Sequence, residues 1–150
     1  MLNNYCISDN TLAVIALDAS CCMVYEIGST FKINMSIKQI LDFSCNFYGS
    51  SLKGRMEGSK HILNMKYKLP IIVNQYKNLI FFSTRSYTDN NTYIINYNNI
   101  DYYEKSGKDT DIYFKNNIKI KLNDSYNVFK NQYINADLLY RKAENIKNAS

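Results

Sequence analysis

The sequence predicts an α+β fold: a β-rich antiparallel sheet with two principal helices, in a single compact domain spanning residues 1–150. Three observations carry that reading. Short apolar or alternating runs punctuated by Asn, Asp, Ser and Gly recur along most of the chain, the mark of strands joined by turns. Two stretches switch to helical spacing. A chain of 150 residues is long enough to bury one substantial core and short for two.

In chain order, TLAVIAL and CCMVYEI flank Asp18–Ser20 and predict a hairpin, which STFKIN extends. Ser36 followed by Gln39 has capping-box spacing, and Ile37, Ile40, Leu41 and Cys45 share one helical face. A helix from about Ser36 to Phe47, stopped by Gly49, follows. A Gly-rich loop comes next, then strand-like HILNMKY, IIV after Pro70, NLIFF, TYIINY and NIDYYEK. In DIYFKNNIKIKL, apolar residues alternate on both sides of Asn116–Asn117, a pair suited to a two-residue hairpin turn. The outward face of that hairpin would carry Lys115, Lys119 and Lys121. Asp124 or Ser125 can cap a last helix. Its apolar stripe is Phe129, Tyr133, Ala136, Tyr140 and Ala143, widened by Leu139, with a frayed end from about residue 144.

Composition narrows the function classes. Charged residues at 21% and hydrophobic ones at 46% exclude global disorder. The net charge of +5 favours polyanionic partners mildly. The four cysteines form no C-x-x-C pair and there is one histidine, so a zinc site is not expected and the cysteines read as reduced, partly buried thiols. The N-terminus lacks signal-peptide features, and the longest apolar run, LAVIAL, is far short of a membrane span. The expected setting is cytoplasmic, with no membrane partner.

The stretch CNFYGSSLKGRMEGSKH, Cys45 to His61, concentrates glycines, hydroxyls and cations. Gly49 and Gly54 have P-loop spacing, but Arg55 and Met56 stand where that motif needs Lys and Ser/Thr. Ser50 or Ser51 with His61 would lack an orienting acid and an oxyanion hole. The acids Asp101, Glu104, Asp109 and Asp111 read as a solvated strand-and-turn face. No enzyme activity and no cofactor are expected. Nucleic acid fits better: from Gly49 to Lys68 the cations Lys53, Arg55, Lys60, Lys66 and Lys68 face Glu57 alone. Hydroxyls and backbone N–H groups contact phosphate, and Arg or Lys enters narrow A/T-rich minor grooves. On the residues alone, a solvated basic loop stays open beside DNA contact.

SCNFYGSSLKGRMEGS, KLPIIV and IFFSTRS resemble the competence transcription factor family, ComK. The family pattern S-C-x-F-F/Y-G-S-S-x-x-G-R-x-x-G is met by Ser44, Cys45, Phe47, Tyr48, Gly49, Ser50, Ser51, Gly54, Arg55 and Gly58. Lys68, Pro70, Ile71 and Val73 continue the match, as do Phe81, Phe82 and Thr84, while Leu69 and Ser83 replace family prolines. The resemblance implies a transcriptional activator of DNA-uptake genes that binds paired A/T-rich boxes, chiefly through the minor groove, as a dimer or dimer of dimers. It implies RNA polymerase and a proteolytic adaptor as further partners. The DNA contacts expected are Ser50, Ser51, Lys53, Gly54, Arg55, Lys60, Lys66 and Lys68, with Phe47 and Tyr48 anchoring the loop in the core. The rival is a regulatory module presenting Phe129, Tyr133 and Tyr140 to a protein partner; RNA stacking on exposed tyrosines is a third reading.

Overall fold

The structure, a computed structural model, describes residues 4–149. Its main sheet has six strands: β1 (Thr11–Ala16), β2 (Cys22–Glu26), β3 (Ser29–Ile33), β4 (Ile71–Asn74), β5 (Leu79–Phe82) and β6 (Tyr93–Asn96). They lie in the order β3-β2-β1-β6-β5-β4, with antiparallel pairing throughout. The N-terminal meander closes through Gly28, whose φ of +86° suits a glycine at the tight β2–β3 turn. β6 then inserts between β1 and β5, pairing Val14 with Ile94 and Phe82 with Ile95.

The central strands are buried on both faces, which is why LIFF and the YII of β6 read as unbroken apolar runs. Successive side chains point to opposite faces. Leu79, Phe81 and Ile94 join one core with Val14, Val24, Ile33, Ile71 and Val73. Ile80, Phe82, Tyr93 and Ile95 join a second. Helix α1 (Ile37–Phe47) covers the first core through Ile37, Ile40, Leu41 and Cys45, and α2 (Leu52–Leu63) adds Leu52 and Met56. The second core is covered by a three-stranded sheet, β7 (Ile100–Ser106), β8 (Asp109–Phe114) and β9 (Lys119–Leu122), and by α3 (Tyr126–Ala149).

The α+β class and the antiparallel sheet stand as the sequence predicts. The Ser36–Gln39 capping box forms reciprocally, with Gln39 N–H donating to Ser36 Oγ at 3.1 Å and Ser36 N–H to Gln39 Oε1 at 2.9 Å. Ser125 caps α3, accepting from Val128 N–H at 3.3 Å. Asp124 is drawn elsewhere, accepting from Thr84, Tyr93 and Arg85. The helix end read as frayed continues helical to Ala149, with Ser150 outside the described residues.

Three local expectations change. The Gly-rich stretch and the start of HILNMKY form one helix, α2, because Leu52, Met56, Ser59 and Leu63 recur at helical spacing and pack inward. The hairpin connection after Phe114 takes in Lys115, Asn116 and Asn117, with Asn117 left-handed at φ 67°, so Tyr113 pairs with Lys119. Lys115 therefore sits in the turn and not on the outer face with Lys119 and Lys121. Phe47 is 69% exposed at the end of α1, not a core anchor. Tyr48 does tie the segment down, donating from its hydroxyl to Ile7 C=O at 2.7 Å.

Candidate nucleic-acid interface

Helix α2 owes its start to Ser51. Ser51 is its N-cap, with Oγ accepting from Gly54 N–H at 2.9 Å. A Cβ on Gly54 would stand 3.1 Å from Ser51 Oγ and 3.2 Å from Ser50 Oγ. Glycine thus lets both hydroxyls close over the first turn, which accounts for the S-S-x-x-G spacing. That turn contains no acid, so the positive end of the helix dipole is left uncompensated. Asn64 ends the helix in the left-handed region at φ 54°.

The inward stripe of α2 divides the predicted cations. Lys53 and Lys60, seven residues apart, project from one flank and are exposed. Lys60 stands 3.5 Å from Glu57 in an exposed i,i+3 pair, an interaction of small energy. Arg55 leaves from the other flank, half-buried, and donates from Nη1 to Gln75 Oε1 at 3.2 Å. Its Nε is buried without a hydrogen-bond partner among the described residues. Lys66 and Lys68 follow in the exposed segment after the helix, and Lys68 is left-handed at φ 51°. Lys53, Lys66 and Lys68 make no salt bridge among the described residues.

Tertiary packing brings two further cations to this side of the molecule, both already paired within the fold: Lys38 with Asp42 and Arg85 with Asp124. A hollow beside α2 is lined by Lys38, Lys53, Lys60 and Lys66, and a neighbouring one by Lys38, Lys68 and Arg85; they share Leu52, Met56 and Leu69. Lys38 comes from α1 and Arg85 from the segment after β5. No local pattern ties either to the Gly-rich stretch, and only the packing of α1 and that segment around α2 reveals them.

The geometry does not assemble a hydrolytic centre from the stretch. Ser51 and His61 are separated by roughly 15 Å along the helix at ~1.5 Å per residue. Burial pushes the Cys45 thiol up to about 11, outweighing the lowering influence of the nearby Arg55 charge, so it is no ready nucleophile at neutral pH. Among the described residues, no group of three His, Cys, Asp or Glu is placed to hold a metal ion, and no helix is long and apolar enough to cross a membrane.

Comparison with known proteins points one way. The family model described as ComK protein matches residues 2–147. The chain is also similar to a competence transcription factor of Bacillus subtilis (strain 168), 31% identical over 135 residues, covering 87% of this chain and 70% of that protein. No solved structure matches.

Proposed function

This chain belongs to the ComK family, and we propose on that basis that it is a competence transcription factor binding A/T-rich duplex DNA through the α2 side of the molecule. The observation that supports the site is the concentration of exposed cations along α2 and the segment after it, with Lys53, Lys66 and Lys68 unpaired among the described residues and Lys60 held only in an exposed pair with Glu57, on the stretch that bears the family's densest motif. In this reading Lys53, Lys60, Lys66 and Lys68 neutralise phosphates. Arg55 enters the minor groove from the other flank of the helix, giving up its bond to Gln75. Ser51 Oγ, already accepting from Gly54 N–H, keeps its O–H free to donate to a phosphate beside Ser50. Gly54 lets the duplex approach the first turn, where the helix dipole favours an anion.

The protein acts as a dimer or dimer of dimers, activates genes for DNA uptake, and works with RNA polymerase under the control of a proteolytic adaptor; these parts rest on family membership alone. The rival module presenting Phe129, Tyr133 and Tyr140 is disfavoured. Phe129 is fully buried against Phe82 and Tyr103, and both tyrosines pack on the same core.

The test is fluorescence anisotropy across a salt series with a duplex bearing two A/T boxes, a scrambled G/C-richer duplex and single-stranded RNA. The expected result is a preference for the A/T duplex that persists as salt rises. Arg55→Ala weakens that binding by roughly 1–3 kcal/mol if Arg55 reads the groove. Equal, salt-labile binding to all three would reduce the α2 surface to a non-specific electrostatic patch.

A further inference from the structure

The hollows beside α2 have a floor that DNA does not need. The larger one, about 550 Å³, lies between α2 and the segments carrying Tyr67–Leu69 and Arg85–Thr88, and Leu52, Met56, Leu69 and Tyr87 form its base. The smaller, about 260 Å³, extends it along α2 over the same Leu52, Met56 and Leu69. The result is an elongated apolar trough. Phosphate and sugar are bound by cations, hydroxyls and N–H groups, so this floor is surplus to a backbone-contacting surface. Tyr67, 80% exposed at the edge of the trough between Lys66 and Lys68, presents its ring to solvent there.

The rim carries Lys38, Lys53, Lys60, Lys66 and Lys68, with Arg85 at one end held by Asp124. Its acids are Asp42, 3.3 Å from Lys38, and Glu57, 3.5 Å from Lys60, both in exposed pairs that a competing carboxylate exchanges at little cost. An apolar floor between cationic walls is complementary to a helix with an apolar stripe and carboxylates on both flanks. Met56 at the centre adapts its shape to different anchors.

We propose that this trough is a docking site for a short acidic amphipathic helix from a partner protein, and that its occupancy excludes DNA. The exclusion rests on the DNA reading above, because Lys53, Lys60, Lys66 and Lys68 serve both; the docking site does not.

The experiment uses the full chain and a fluorescein-labelled synthetic helical peptide with leucines at i, i+3, i+4 and i+7 flanked by glutamates. Controls carry serine at the leucine positions or lysine at the glutamates. Saturable binding of the first peptide alone is expected, weakened roughly tenfold or more by Tyr67→Ser and by Met56→Glu. Tyr67 is too exposed to be needed for folding, so its variant decides the matter even if Met56→Glu unfolds. Absence of saturable binding, equal binding of the serine control, or full affinity in Tyr67→Ser overturns the docking site whether or not the chain binds DNA. Displacement of a bound A/T duplex by the peptide is expected; a ternary complex overturns the exclusion.

Discussion

On the outer face of the three-stranded sheet, Lys119 and Lys121 stand 3.5 and 3.2 Å from the Asp111 carboxylate. Lys121 also donates to Ser106 Oγ at 2.7 Å, and Lys119 lies over the Tyr113 ring. Nearby, Arg85 is held by Asp124 at 3.0 Å and by the carbonyls of Asn91 and Asn123. Along α2 and the segment after it, by contrast, Lys53, Lys66 and Lys68 meet no carboxylate among the described residues. Lysines are frequent in both regions, yet in one the charge is consumed within the fold and in the other it is left for a partner. Net charge describes neither; the pairing of each cation separates them. Burial raises the Asp111 pKa, but the hydrogen bond from Lys121 and the charges of Lys119 and Lys121 outweigh it and hold the carboxyl below its ordinary value.

The largest effect is expected on the acid-locked side. Burial raises the Asp124 pKa, but hydrogen bonds from Tyr93, Thr84 and Arg85, with the Arg85 charge, outweigh it and lower the value overall. Asp124→Asn is expected to cost about 2 kcal/mol of unfolding free energy near neutral pH, as for hydrogen bonds to a charged group, read by urea denaturation. A depressed folded-state pKa contributes stability that is whole above the unfolded aspartate value of ~3.9 and disappears as pH falls through the lower folded value. The wild type should therefore lose this contribution in acid and the variant should not, with DNA affinity of the folded variant unchanged. Equal acid sensitivity of the two would place the stabilisation elsewhere.

Paired double substitutions separate the two surfaces experimentally. Lys53→Ala with Lys60→Ala is expected to lower the slope of log affinity against log salt by roughly 2, one counterion per lost phosphate contact, with little change in Tm. Lys119→Ala with Lys121→Ala strips Asp111 of its partners, so it should lower Tm and leave the slope unchanged. A salt slope that falls equally in both would erase the distinction between the surfaces.

The fold was legible where one physical signal dominated. The capping box, the buried runs LIFF and YIIN, and the alternation on both sides of Asn116–Asn117 each rest on a local periodicity that tertiary contacts reinforce. Helix α2 was not legible, because Gly54 and Gly58 are poor helix formers and Ile62 and Leu63 followed by Met65 imitate a strand. The cap at Ser51 and the spacing of Leu52, Met56, Ser59 and Leu63 were present in the chain but masked by those glycines. The site was legible as a charged segment and not as a surface: the helix sends Arg55 and Lys53 to opposite flanks, and Lys38 and Arg85 arrive only through packing.

Gly58 offers the smallest expected effect and the most direct bearing on what the α2 surface is for. Gly54 has a reason within the fold, the two serine hydroxyls that crowd it. Gly58 has none: a Cβ there would meet nothing within 4 Å, and its φ lies outside the left-handed range. In an exposed helix interior, Gly→Ala stabilises by about 0.5–1 kcal/mol. Gly58→Ala should therefore raise Tm. If α2 meets a duplex closely, the same methyl should weaken A/T-box binding while sparing the trough peptide, whose seat is on the inner flank at Met56. A variant that is more stable with unaltered DNA affinity would move the contact off this part of the helix, toward the flank of Lys53 and Lys60. Stability gained and affinity lost together would mean that the glycine is kept for the partner and not for the fold.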